Sequence, residues 1–240
     1  MSKLRLPLIG SGEELSGAAP PAFERSLRAA TPGDAEHRRL VGILIAPTRE
    51  AASSSVPPSA ARFLTEALDA AQVWAGGGAS TDAVHLGRKN AFAALPTIED
   101  ATIQAVRKAQ ELEQRTASPL DRHADHVVLR YASLAAHFAT SATCHLLDAI
   151  ETPPLLLEVL RDVAGAHAYL KTGLGAARDP AFRARSVEQA EWEAARPISR
   201  ALGHAATELA PQIFHEFLGA RWRALATEER GRLDALVTPT

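Results

Sequence analysis

The sequence predicts an all-α fold, and three observations carry that prediction. Aromatic residues make up only 5% of the chain while Ala is abundant, which favours closely packed helices over strands built from β-branched and aromatic residues. Segment after segment repeats apolar residues at helical spacing between recognisable start and stop signals. No segment alternates over strand length. The expected architecture is a bundle of about eight to ten helices around one long central helix.

Taken in order, residues 1–20 are a Gly, Ser and Pro-rich lead, read as loop. Pro21 to Ala30 suits a short helix with Phe23 and Leu27 inward. A longer helix starts near Asp34, an N-cap in TPGDAEHRRL. Residues 40–46 (LVGILIA) fit a buried helix or a buried strand, and periodicity does not separate the two over so short a run. PTREAASSSVPP, Pro47 to Pro58, has the composition of a linker. It divides the chain into an N-terminal segment, 1–58, and a helical domain, 59–240.

From Ser59 the signals strengthen. Phe63, Ala67, Ala71 and Trp74 recur at helical spacing, and Gly76-Gly77-Gly78 ends that helix by supplying left-handed conformations. Ser80 or Thr81 caps the next helix, which is expected to stop at Pro96 because proline lacks the N–H that a helix interior needs. Thr97 to Asp100 then reads as a capping box opening another helix. Ser118-Pro119 starts the central helix, Asp121 to Glu151, and Thr152-Pro153-Pro154 starts the helix with Leu156, Leu160, Val163, His167, Leu170 and Leu174 on its apolar side. Asp179-Pro180 is a further start. Ile198 to Leu209, Pro211 to Ala226 and Thr227 to Val237 read as separate helices. Trp74, Trp192 and Trp222 are expected as core anchors.

The central helix is apolar around most of its circumference, which places it among neighbours on several sides. Its polar residues His126, Arg130, Ser133, His137, Thr140, Ser141, Cys144 and Asp148 fall in one stripe about 100° wide. Ser, Thr, Cys and His are unusual on a face washed by solvent, which normally carries Glu, Lys and Gln. Two readings fit. Either Ser and Thr bond back to the carbonyl one turn earlier and let a neighbour approach closely, or the seam meets a ligand or partner. The residues named for the second reading are His126, Arg130, His137, Ser141, Cys144 and Asp148, with His167 from the following helix.

Chemistry at that seam is constrained by distance. His126 and Asp148 lie roughly 33 Å apart along a helix axis, so the stripe does not form one site. Nine histidines raise the question of a metal, but HExxH, paired ExxH and CxxC are absent from the sequence, and none is expected. Cys144 lacks an in-helix base: His137 is about 10 Å of rise away and His145 points aside. A buried thiol acting as a small hydrophobe is the expectation. No catalytic residue and no cofactor are assigned.

Composition bounds the rest. Hydrophobic residues at 46% and charged residues at 22% describe a globular chain, and a net charge of -2 gives no footprint for nucleic acid. One cysteine provides no internal disulfide. The N-terminal apolar run stops at Gly10, too short for a signal-peptide core, and no run reaches the roughly 18 apolar residues of a membrane span. A cytoplasmic protein with no membrane partner is the expectation.

Ala67–Ala94 (ALDAAQVWAGGGASTDAVHLGRKNAFAA), Arg130–Ala149 (RYASLAAHFATSATCHLLDA) and Glu188–Pro197 (EQAEWEAARP) resemble the helical immunity proteins of bacterial polymorphic toxin systems. The likeness spans Ser59 to Pro197. The chain departs from that group in its N-terminal residues, in its further C-terminal helices, and in Gly77 where an acid is expected. The resemblance implies a non-catalytic helical binding protein that neutralises a cognate protein toxin by direct contact, with no catalytic residues. Two other classes stand beside it: an enzyme or small-molecule binder using the His/Ser/Cys/Asp seam, and a helical scaffold or homodimer that buries its Ala-rich faces.

Overall fold

The central helix forms where its pattern places it. In the computed structural model, which describes residues 21–78, 81–114, 119–179 and 209–237, it is α5, Pro119–Ala149. Before it come α1 (Pro21–Ala29), α2 (Ala35–Ser55), α3 (Pro58–Ala75) and α4 (Thr81–Gln114). After it come a 3-10 turn over Pro153–Leu155, then α6 (Leu156–Arg178) and α7 (Leu209–Val237). Every regular element among the described residues is helical. Trp192, the Asp179-Pro180 start beyond Asp179 and the part of the expected Ile198 to Leu209 helix that precedes Leu209 lie outside the described residues.

Proline accounts for the differences from expectation. The stretch from Pro47 to Ser55, read above as linker, is helix, and residues 40–46 are helix rather than strand. An interior proline costs about 3 kcal/mol. The turns beyond Pro47 bury Ala51, Ala52 and Val56, and at about 0.8 kcal/mol per buried methylene-sized group that gain is similar in size. The helical hydrogen bonds of Thr48 to Ser55 then tip the balance. Buried Thr48 adds a bond of its own, donating from Oγ1 to the Leu44 carbonyl at 2.7 Å. α2 thereby enters the same core as α3, α5 and α6. α4 likewise runs through Pro96, so Thr97 to Asp100 lies inside a helix and opens none. The two C-terminal helices expected from Pro211 onward are one: Thr227 lies inside α7 and donates its hydroxyl to the Arg223 carbonyl, while Pro211 falls in the first turn, where its missing N–H costs nothing.

Local signals set the ends that meet the core. Asp34 caps α2, its Oδ1 accepting from the His37 N–H at 2.6 Å, and three hydrogen bonds hold its carboxyl down at about 2. α3 ends at Gly76, and Gly77 takes φ +84°, a left-handed conformation that glycine adopts without a Cβ clash. The guanidinium of Arg38 lies over the Trp74 ring at 4.8 Å and donates to the Trp74 carbonyl at 2.8 Å, tying this turn to α2.

His37 shows how α2 is locked to α5. It is 0% exposed, and both ring nitrogens are used. Nδ1 accepts from the Gly33 N–H and Nε2 donates to the Ala149 carbonyl, each at 2.9 Å. Those roles fix one neutral tautomer, and burial keeps the ring below the ordinary histidine range.

α5 touches α2, α3, α4 and α6, and its pairing with α6 is the most extensive in the molecule. Ala135, Ala136, Ala139, Ala142 and Ala149 are all buried. On the α6 side stands Gly165, at which a Cβ would lie 3.0 Å from Cδ1 of Phe138. Phe138 has little room to move, since it stacks on Tyr169 at 5.3 Å. A second core continues there, in which Tyr169 also meets Tyr131 and Trp222. Trp74 and Trp222 are core anchors, as expected.

Gly165→Val should therefore destabilise the fold by roughly 2–3 kcal/mol through overpacking. Urea denaturation followed by circular dichroism checks it; a loss under about 0.5 kcal/mol would show that α5 and α6 have slack at this contact.

Candidate functional site

The seam of α5 resolves into three unlike places. His126 and Arg130 are on the α5 backbone, with side chains outside the described residues. Thr140 is buried and bonds back, Oγ1 donating to the Ala136 carbonyl at 2.8 Å; Thr143 does the same to Ala139 at 3.1 Å. His137 is exposed, edge-on to the neighbouring Phe138 ring. Ser141 is half-buried. That leaves the last two turns of α5, where charged partners from α4 and α6 converge.

On the α4 side, Arg88 pairs through Nε with Asp148 Oδ1, and His85 Nε2 lies 3.0 Å from Glu151 Oε1. On the α6 side, Nδ1 of His145 lies 2.8 Å from Oδ2 of Asp162, a carboxylate only 1% exposed. Arg161 flanks the same carboxylate at 3.7 Å. The hydrogen bond to Asp162 raises the His145 imidazole above the ordinary histidine range, against the opposing effect of burial. His145, which helical spacing alone turns away from Cys144, is thus the titratable group best placed in this region. A ring held through Nδ1 by a buried carboxylate has fixed orientation and a raised basicity, which suits proton exchange.

Cys144 has no such environment. It is buried, and burial first, then the Asp148 carboxylate, push its thiol up to about 12. A nucleophile needs the reverse.

His167 stands apart from the seam. It is buried on α6 beside Glu229 of α7, with Nδ1 3.4 Å from Oε2 of that carboxylate, and its Nε2 has no hydrogen-bond partner. It joins Lys171, Arg232 and Glu50 rather than Cys144 and Asp148. Sequence spacing gave no sign of this cluster, because Glu50, His167 and Glu229 come from three distant segments.

Among the described residues, no group of three or more His, Cys, Asp or Glu side chains is arranged to hold a metal ion. An open groove of about 460 Å³ lies elsewhere, between the start of α2 and the Gly76-Gly77 turn, lined by Arg38, Arg39, Gly42 and Gln72 among others. Its cations are committed: Arg38 to Trp74 and the Gly33 carbonyl, Arg39 to both oxygens of Glu36. No helix among the described residues is long and apolar enough to cross a membrane. Comparison with known proteins adds no relative: no family model, no curated protein and no solved structure matches the chain.

Two measurements test these assignments. In the folded protein Cys144 should react with a thiol-specific aromatic disulfide at least ~100-fold more slowly than in urea, since thiolate supply controls the rate; equal rates would mean an accessible, activated thiol. Asp162→Asn should cost about 1–3 kcal/mol by replacing a buried charged hydrogen-bond acceptor with a neutral one. Because the His145 pKa is raised on folding, the ionic part of this contribution is complete below about pH 6.5 and is lost as pH rises through the folded value. The difference between wild type and variant in chemical denaturation should therefore shrink on the alkaline side; a difference that grows with pH would reverse the assignment.

Proposed function

We propose that the chain is a non-catalytic helical binding protein, acting as an immunity protein that neutralises a protein toxin by direct contact through the outer face of α4. One observation carries this reading. From Ala83 to Thr97 the exposed positions of α4 are Ala83, His85, Leu86, Lys89, Asn90, Phe92, Ala93, Pro96 and Thr97, with Lys89 the sole Lys, Arg, Asp or Glu among them. Leu86 is 60% exposed at the middle of this face. A helix surface turned only to water normally carries Glu, Lys and Gln; one that meets a protein is depleted in charge at its centre.

Two further points support it. The face from Ala83 to Ala93 falls within Ala67–Ala94, the first of the stretches that resemble immunity proteins. Two polar groups of the seam are already engaged, Thr140 with its own helix and Asp148 with α4, as is the adjacent His145 with α6. The cytoplasmic setting expected from the sequence belongs to the same reading, since a toxin is neutralised where it would otherwise act.

Co-expression with the toxin encoded beside this gene tests the proposal. Wild type should protect the host and co-purify with the toxin. Leu86→Glu should weaken the complex at least tenfold, about 1.4 kcal/mol, with helicity and melting temperature unchanged. Absence of both protection and complex would remove the immunity reading. A complex indifferent to Leu86→Glu would remove the α4 face while leaving the partner class in place.

A further inference from the structure

The C-terminal half of α7 is fastened by one buried carboxylate. Glu229 is 2% exposed; three side chains from two helices gather round it, and Glu50 of a third joins through one of them. From α6, Lys171 pairs with Oε1 and His167 Nδ1 lies 3.4 Å from Oε2. From α7 itself, Arg232 Nε donates to Oε2 at 2.9 Å. Arg232 also reaches Glu50 of α2, 3.4 Å from Nη2 to Oε2. These contacts join α7 to both helices against which it packs at this level. Downstream of them, Leu233 and Val237 complete the main core.

Charge within the cluster is balanced only while His167 is neutral. Glu50 and Glu229 contribute two negative charges, Lys171 and Arg232 two positive ones. A proton on His167 would add an unmatched positive charge beside two existing cations, on a residue 7% exposed. The imidazolium would carry N–H on both nitrogens: Nε2 has no acceptor, and Nδ1 already lies 3.5 Å from Nη2 of Arg232. Water would solvate them only once α7 moved away.

We propose that this cluster is an acid-released latch, in which uptake of one proton at His167 frees the segment Thr227–Val237 from α6 and α2. The groups facing His167 are those already named: Glu229 and Arg232 on α7, Lys171 on α6, Glu50 on α2. Burial outweighs the pull of the two carboxylates and holds the folded imidazole below its ordinary 6.5. In the released state the imidazole returns to that ordinary value, so release takes up a proton. The released form is thus favoured as pH falls below about 6.5, by at most tenfold per pH unit for one proton. Glu229 is not the trigger in this window. Despite burial, Lys171 and Arg232 hold its carboxyl below the ordinary carboxylate value, so it stays ionised.

Hydrogen exchange on the full chain between pH 7.5 and 5, corrected for intrinsic rates, tests the latch. Wild-type amides of Thr227–Val237 should open progressively below pH 6.5, up to about tenfold per unit, while those of Pro58–Ala75 should not. α2 is followed separately, because His37 there is also held neutral by burial. His167→Gln should abolish the acid response of α7 and leave that of α2. The same α7 response in His167→Gln as in wild type would overturn the proposal, as would a wild-type α7 indifferent to pH. Should His167→Gln fail to fold, the wild-type imidazole can be titrated by NMR. Release with the midpoint of the His167 ring supports the latch; release only in the carboxylate range would transfer it to Glu229 and overturn it.

Discussion

The fold depends on how closely α6 approaches α5. Alanine makes that approach possible: a face built from Ala135, Ala136, Ala139 and Ala142 projects only methyl groups, and Gly165 removes even that where Phe138 must pass. Each buried methyl stabilises by only about 0.8 kcal/mol, so such an interface holds by the number of atoms brought into contact, each worth about 0.1–0.2 kcal/mol. Contacts of that kind fall away steeply with distance. The larger anchors, Trp74 against His37 and Trp222 against Tyr169, sit to either side of this seam and keep the other helices in register with it. A fold so organised tolerates little change in volume at its centre, and it needs few aromatic residues.

Much of this architecture was legible in the sequence. The all-α class, the central helix, the Asp34 cap, the glycine turn after α3 and the entry to α6 through Thr152-Pro153-Pro154 all rest on local rules, and those rules held. Prolines inside helices were the failure. A local rule prices Pro47 at about 3 kcal/mol and ends the helix, but whether that cost is offset depends on what the next turns bury, and burial is a tertiary property. PTREAASSSVPP has the composition of a linker and the environment of a core helix. Its Ala51 and Ala52 face inward, and its serines lie on the solvent side or at the helix end. Small residues serve both purposes, so composition could not separate them.

The seam was legible as a pattern and illegible as a set of contacts. Wheel geometry placed His137, Ser141, Cys144 and Asp148 in one stripe with Thr140, and at Thr140 the back-bond first named for such residues is made. Wheel geometry also turned His145 away from Cys144, which is correct and led away from the better-placed group. What gives His145 its role is Asp162, 17 residues on and in another helix. No spacing rule links the two, because their meeting depends on the closeness of α5 and α6. The Glu229 cluster was hidden more completely, with members up to 182 positions apart.

Histidine shows why residue type under-determined the site. His37, His145 and His167 are chemically identical, and the fold gives each a different proton affinity. His37 is buried with both nitrogens bonded to backbone, so protonation would break a bond it already makes. His145 is half-buried against a single buried carboxylate, so protonation is favoured. His167 is buried beside a carboxylate already paired with Lys171 and Arg232, and burial outweighs the attraction that Glu229 still offers. The balance between burial and what the partner still offers therefore decides, rather than the presence of an acid. His145 has a partner whose flanking cation, Arg161, is 3.7 Å away; the partner of His167 has two cations in direct contact. By that comparison the two pairs answer pH in opposite directions. Acidification tightens the α5–α6 contact through His145 while loosening the α6–α7 contact through His167, so α6 keeps its hold on the centre of the bundle when α7 lets go.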